Sequence, residues 1–248
     1  MTPRAPAGRT GGGRPSRSRR GLGPARTVGT IVVGVPAFAF ASLAYLDLAV
    51  PDVRPLVDEN PTTTAFMDLR ADEARAEGRS LVLAHTWVPL DRIDPDLQRA
   101  VLTAEDDAFW EHDGVDWKQL EEAMAVNWER KQWVRGASTV SQQLAKNLYL
   151  SPARHPLRKL RELMITRRLE SVLGKRRILE IYLNVIEWGD GVFGAEAAAR
   201  TYFGKSAASL TRAEAALLAG AIINPRVLNP ANPSRGLRRR QQIILGRM

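Results

Sequence analysis

Residues 136–149, Gly-Ala-Ser-Thr-Val-Ser-Gln-Gln-Leu-Ala-Lys-Asn-Leu-Tyr, gather hydroxyls, amides and one lysine in a short stretch. Thr139 and Gln142 have the spacing of a capping box, so a helix is predicted to begin here. Within it Val140, Leu144 and Leu148 recur every four residues as a buried stripe, leaving Gln142, Gln143, Lys146 and Tyr149 to one side. Such a face suits the handling of an anion. The same pattern also describes the polar back of any amphipathic helix, so chemistry needs partners elsewhere in the chain.

One partner is the acidic run at residues 103–117, with Glu105, Asp106, Asp107, Glu111, Asp113 and Asp116. Asp94 followed by Pro95 is a helix start, and Leu97, Ala100, Val101 and Ala104 give that helix an apolar stripe. Glu105 then falls near its C-terminal end. The negative end of the helix dipole and the charges of Asp106 and Asp107 all disfavour ionising Glu105 and raise its pKa. A carboxylate tuned toward neutral pH is the better general base. The ordinary alternative is a solvated acidic turn closed by His112-Asp113-Gly114. Phe109, Trp110 and Trp117 inside the run weigh against a wholly solvated face. The three histidines, His85, His112 and His155, lack metal-ligand spacing.

A second partner is residues 154–170, a helix that Pro156 opens. Arg158 and Glu162 lie one turn apart, which by itself is an ion pair contributing roughly 0.2–0.5 kcal/mol. Together, Lys146, Arg154, Arg158 and Lys159 form a denser cationic group. A phosphate or pyrophosphate would use it.

The surrounding elements are mostly helical from Asp94 onward. Residues 80–88 are predicted to form one strand. Ile178, Ile181, Tyr182 and Val185 mark a buried helical stripe, and Gly189-Asp190-Gly191 with Gly194 breaks the chain before the next helix. The run Arg238-Arg239-Arg240 is expected to be a solvated helix face. Residues 1–26 hold seven arginines and no acidic residue among many Gly, Pro and Ser, the composition of a disordered tail. The formal net charge is +9, but with those seven set aside 29 basic residues face 27 acidic ones, which weakens any nucleic-acid reading. Residues 27–46 are uncharged and largely apolar, and a helix of that length spans roughly 30 Å, the thickness of a bilayer core. The arginine-rich flank predicts a cytoplasmic N-terminus with everything after Asp47 outside. Residues 47–78 look like a linker with a short lead-in helix. Cysteine is absent, which excludes disulfides and thiolate metal sites.

These residues carry a family resemblance. The chain resembles the bacterial peptidoglycan glycosyltransferases, the polymerases that assemble glycan strands from lipid II, and most closely their monofunctional membrane-anchored members. The resemblance runs over residues 87–248. It rests on Glu105-Asp106 with Phe109, His112, Gly114 and Asp116; on Gly136-Ala-Ser-Thr-Val-Ser-Gln-Gln-Leu-Ala-Lys-Asn147; and on Arg158-Lys159 with Glu162 and Leu169-Glu170. It continues through Lys175-Arg-Arg-Ile-Leu-Glu-Ile-Tyr-Leu-Asn184, the glycines 189, 191 and 194, residues 198–205 and 214–219, Asn224-Pro225 and Asn229-Pro230. Ala137 stands where Gly is usual and Ser141 where Thr is usual; neither removes a catalytic group.

The resemblance implies a mainly α, lysozyme-like, two-lobed glycosyltransferase domain over residues 79–248, behind a single N-terminal transmembrane helix in the bacterial inner membrane, with the catalytic domain periplasmic. It implies that Glu105 is the base and that Glu162 is a second catalytic carboxylate, orienting the cations or sharing a divalent metal, Mg2+ or Mn2+, with the pyrophosphate. Asp106, Ser138, Gln143, Lys146, Arg154, Arg158 and Lys159 would bind the substrate and its pyrophosphate. No organic cofactor is expected. The partners it implies are lipid II, a lipid-linked glycan strand, the membrane, and cell-division or elongation proteins, with no nucleic acid. A lysozyme-like lytic hydrolase and an inactive membrane-bound wall-synthesis partner are the alternatives.

Overall fold

The described residues of the computed structural model are Met1, Phe40, 50–131, 136–150 and 156–248. The predicted basic tail and apolar span therefore lie, but for Met1 and Phe40, outside the described residues, as do Arg154 and His155. Among the described residues no helix is long and apolar enough to cross a membrane.

The chain divides into two units, and the larger covers Asp47–Met248. It is mainly helical. A 3-10 turn at Arg54–Val57 leads to α1 (Ala65–Ala76), the expected lead-in helix, started by Thr64, whose hydroxyl accepts from the Met67 amide. The strand predicted over residues 80–88 shrinks to β1 (Ala84–His85). Helices α2 (Pro95–Glu105), α3 (Trp117–Arg130), α4 (Val140–Tyr149), α5 (Pro156–Val172) and α6 (Lys175–Val185) follow. A hairpin, β2 (Glu187–Gly189) and β3 (Val192–Phe193), precedes α7 (Ala195–Phe203), α8 (Arg212–Ala221) and α9 (Arg235–Leu245).

Local sequence sets most of these boundaries. Asp94 caps α2 by accepting from the Asp96 amide, with Pro95 in the first turn. Thr139 and Gln142 form the predicted capping box of α4, and Thr211 and Glu214 form another at α8. Asp190-Gly191, expected only to interrupt helix, is the two-residue turn of the β2–β3 hairpin, Gly191 having φ 73°. The sheet order is β1-β3-β2, with β1 parallel to β3 and β3 antiparallel to β2. Gly194 opens α7 at φ 84°, and a Cβ there would lie 2.6 Å from the Asn184 carbonyl oxygen, so only glycine fits.

The core is built around α6, whose Ile178, Leu179, Ile181, Tyr182, Leu183 and Val185 are all inaccessible to solvent. It packs on α4, which also packs on α5 and α1, while α8 packs between α2 and α9. Arg70 of α1 grips buried Glu187 of β2 with Nε and Nη2, at 3.0 and 2.9 Å. Asn184 at the end of α6 both donates to and accepts from the main chain of Val88, fixing the segment that leads to α2. Helix α3 is the outlier, with Ala123 its one buried residue.

Candidate active site

Glu105 is the last residue of α2, and its side chain keeps 13% of its surface exposed. It opens into a cleft of about 510 Å³ that also takes in Gly136, Ser138, Gln143, Arg240 and Arg247. Carboxylate Oε2 accepts from the Gln143 side-chain amide at 2.9 Å, and Oε1 lies 3.5 Å from Nη2 of Arg240. The amide of Gln143 is itself held, its Oε1 accepting from the Tyr182 hydroxyl at 2.9 Å.

The Glu105 pKa is raised, in the direction expected from sequence but for a different leading reason. Burial is the largest cause; the Gln143 hydrogen bond and then the charges of Arg240 and Lys146 pull it back, and Asp106 adds a smaller upward push. The helix dipole and the neighbouring carboxylates were the expected causes, yet Asp106 is engaged with other partners. One of its oxygens accepts from His112 Nε2 at 2.9 Å, the other from the Val140 amide at 2.8 Å. His112 Nδ1 accepts from the Gly114 amide, so Nε2 carries the proton it donates to Asp106. Asp106, assigned from sequence to the substrate, is thus buried and engaged at both oxygens, tying the end of α2 to the start of α4. Gly114 is held in that knot at φ 88°, its carbonyl accepting from the Thr139 hydroxyl. Of the aromatics in the acidic run only Phe109 is buried; Trp110 and Trp117 are exposed, because the run curls around Phe109 alone.

The polar side of α4 is not solvated as periodicity suggested. Gln142 is buried in the capping box, and Lys146 is half-buried on a helix against which α5 and α6 both pack. Burial pushes the Lys146 ammonium pKa down; Glu162 opposes that, Arg158 and Lys159 reinforce it, and Glu105 opposes it. Lys146 therefore stands between the two carboxylates electrostatically. Glu162, 5% exposed at its side chain, accepts from Lys159 Nζ at 2.5 Å and from Arg158 Nη1 at 3.3 Å. Nε of Arg158 is buried without a hydrogen-bond partner among the described residues. Such a guanidinium has donor capacity left for an anion. With both oxygens of Glu162 engaged by cations, a divalent metal would compete with Arg158 and Lys159 for them. Among the described residues no group of three or more His, Asp or Glu is placed to hold a metal ion.

Two residues escaped the sequence reading. Arg240 was expected on a solvated face, but Leu237 and Ile244 are the buried positions of α9, and Arg240, three residues after Leu237, falls on that inner side. That spacing was the available signal. Tyr182 was assigned to packing, and its hydroxyl, the one polar group in an aliphatic stripe, was the clue to its second role. Ser138 lines the cleft, Gln143, Lys146, Arg158, Lys159 and Glu162 have the places described, and Arg154 lies outside the described residues.

A half-buried carboxylate oriented by an amide in a cleft, with a lysine coupled electrostatically both to it and to an ion-paired arginine–lysine–glutamate group, is equipped to take a proton near an anionic group. The chain belongs to the transglycosylase family: the family model described as Transglycosylase matches residues 76–248. Among its relatives, the biosynthetic peptidoglycan transglycosylase of Aromatoleum aromaticum is 54% identical over 167 residues, covering 67% of this chain and 73% of the relative. Proteins of the same name from Methylobacillus flagellatus and Dechloromonas aromatica are 50% and 49% identical, over 77% and 76% of this chain and 84% and 82% of theirs.

Proposed function

We propose that the chain polymerises peptidoglycan glycan strands in bacterial cell-wall synthesis, extending a lipid-linked strand with lipid II. The observation that carries this reading is the pairing of half-buried Glu105, held by Gln143, with the cationic group of Lys146, Arg158 and Lys159 around Glu162. In the reaction, Glu105 takes the proton from the 4-hydroxyl of the acceptor GlcNAc. That oxygen attacks the anomeric carbon of the donor strand, the bond to pyrophosphate breaks, configuration inverts from α to β, and undecaprenyl pyrophosphate leaves.

One base suffices because of the leaving group. A glycosidase expelling a sugar alkoxide needs a second carboxyl to donate a proton. Pyrophosphate leaves readily once its developing charge meets cations. Lys146, Arg158 and Lys159 supply that charge, Glu162 orients Arg158 and Lys159, and Arg154 is assigned the same role by the family resemblance. A divalent cation shared by Glu162 and the pyrophosphate belongs to the same reading. Ser138 lines the same cleft as the base and is assigned to the substrate.

The domain is read as the two-lobed, lysozyme-like form, anchored by residues 27–46 in the inner membrane with the catalytic part periplasmic. Support comes from the uncharged span, its arginine-rich flank and an exposed Trp117–Met124–Trp128 stripe on α3. Docking to division or elongation proteins belongs to the same reading.

The test is to incubate the full-length protein with lipid II and size the products. Polymer formation is expected, lost by about 10²–10⁴-fold in Glu105→Gln. Short fragments released from preformed glycan would instead identify a hydrolase, and no product from either substrate an inactive partner. Normal polymerisation by Glu105→Gln would remove Glu105 from the mechanism.

A further inference from the structure

We propose that Tyr182 is a positioning residue for the reaction at Glu105, its buried hydroxyl fixing the side-chain amide of Gln143 so that the NH2 group faces the carboxylate. The inference rests on Glu105 acting as the base. Packing alone does not call for the hydroxyl. Tyr182 sits wholly inside α6 among Ile178, Ile181 and Val185, where an aliphatic or phenyl side chain would fill the same stripe. A buried hydroxyl is costly unless bonded, and this one meets Gln143 Oε1 at 2.9 Å.

The amide has two ends of opposite character. An ionised carboxylate only accepts hydrogen bonds, so Gln143 must present its nitrogen to Glu105 and its oxygen elsewhere. Tyr182 is what waits at that oxygen. Burial holds the phenol well above its ordinary pKa, keeping it a donor across the working pH range. Were the amide turned over, its oxygen would oppose the Glu105 carboxylate. The main chain of Gln143 is meanwhile fixed in α4, its carbonyl accepting from the Asn147 side chain at 2.8 Å. The charged and titratable groups facing Glu105 or sharing its cleft are Arg240 from α9 and Arg247 beyond it, Lys146 from α4, Asp106 and Asp107 just beyond α2, and Tyr182 from α6. Arg240 and Lys146 favour the ionised base by charge, whereas among the described residues Gln143 alone gives it a close, directed hydrogen bond.

The experiment uses the full-length protein in detergent with lipid II, measuring kcat and KM against pH. Tyr182→Phe removes one oxygen and keeps the ring. It should lower kcat about tenfold with KM unchanged, and move the acidic limb of the kcat profile up by about one pH unit, as expected when a charge-assisted hydrogen bond to the base weakens. In a Gln143→Leu background, Tyr182→Phe should add no further loss, because the hydroxyl acts through the amide. An unmoved acidic limb, or losses that multiply in the double variant, would overturn the inference. If Tyr182→Phe does not fold, Gln143→Leu decides alone: its acidic limb must shift upward, and a limb left in place rejects the relay. Glu105→Gln separates the two layers. Activity in that variant sinks both readings, whereas an inactive Glu105→Gln with an unmoved limb in Tyr182→Phe sinks the relay only.

Discussion

Glu105 and Lys146 are both kept in positions that burial makes unfavourable for their charged forms. That fits residues kept for chemistry at some cost to stability. For Glu105 the folded pKa lies above the ordinary 4.5. Its ionisation penalty is therefore absent below that value, grows as pH rises through the folded pKa and is complete above it. Glu105→Gln should accordingly melt higher than the parent at pH 8, with the gap closing toward pH 4; parallel melting curves across that range would show that the carboxylate is not strained. For Lys146 the folded pKa lies below 10.5, so the penalty is complete below the folded pKa and fades as pH rises toward 10.5. Lys146→Met, which keeps the length and drops the charge, should raise the melting midpoint at pH 7 while lowering lipid II turnover by about 10²–10³-fold, the loss typical of a removed charge-stabilising donor. A variant that loses stability and keeps its turnover would make Lys146 an ordinary structural cation.

At the scale of elements, the site exists because the start of α4 is tied to the end of α2. The Thr139 hydroxyl accepts from the Gln142 amide to cap α4 and donates across the fold to the buried Gly114 carbonyl, whereas the Thr211 hydroxyl at the other capping box accepts from the Glu214 amide and donates locally to the exposed Glu214 carboxylate. Thr139→Ala should cost about 1–2 kcal/mol for the cap plus a buried hydrogen bond. Thr211→Ala, at an exposed cap, should stay nearer the lower end. Denaturant titration compares them, and equal losses would mean that the Gly114 contact contributes nothing. The starts of α2 and α4 and the stripe of α6 were legible because caps and four-residue apolar spacing are local signals. What sequence could not give was enclosure. Periodicity put Lys146 and Gln142 on a polar face, but how far they are enclosed depends on α5 and α6, which pack on α4 from well beyond any local window. Asp106, assigned to the substrate by the family resemblance, lines the cleft, but its bonds to His112 and Val140 were hidden because those partners meet it only when the acidic run folds back. Arg240 was hidden in a triplet of arginines, although Leu237 and Ile244 already marked the inner side of α9. The hairpin was missed because strands of two and three residues are too short to show alternation, leaving only Asp190-Gly191 as its trace.

At the scale of the whole molecule, the proposed function requires that this domain meet a lipid-borne substrate. Helix α3 buries only Ala123 while Trp117, Met124 and Trp128 stand 64%, 62% and 88% exposed. These three follow one another by seven and four residues, so they share a face of the helix. Leu157 and Leu160 of α5 are exposed too. Aromatic and aliphatic side chains on a lightly packed helix are what an interfacial contact requires, since tryptophan favours the headgroup level of a bilayer. Positive charge before the span at residues 27–46 and its absence within predict that the N-terminus stays cytoplasmic. A reporter fused after Met248 should therefore be active only on the periplasmic side. In the full-length protein reconstituted into bilayers, brominated lipids should quench tryptophan fluorescence, and Trp117→Leu with Trp128→Leu should remove most of that quenching while leaving the fold intact. A cytoplasmic reporter would reverse the orientation, and quenching unchanged in the double variant would show that α3 faces water, so that the substrate must be drawn from the membrane by another surface.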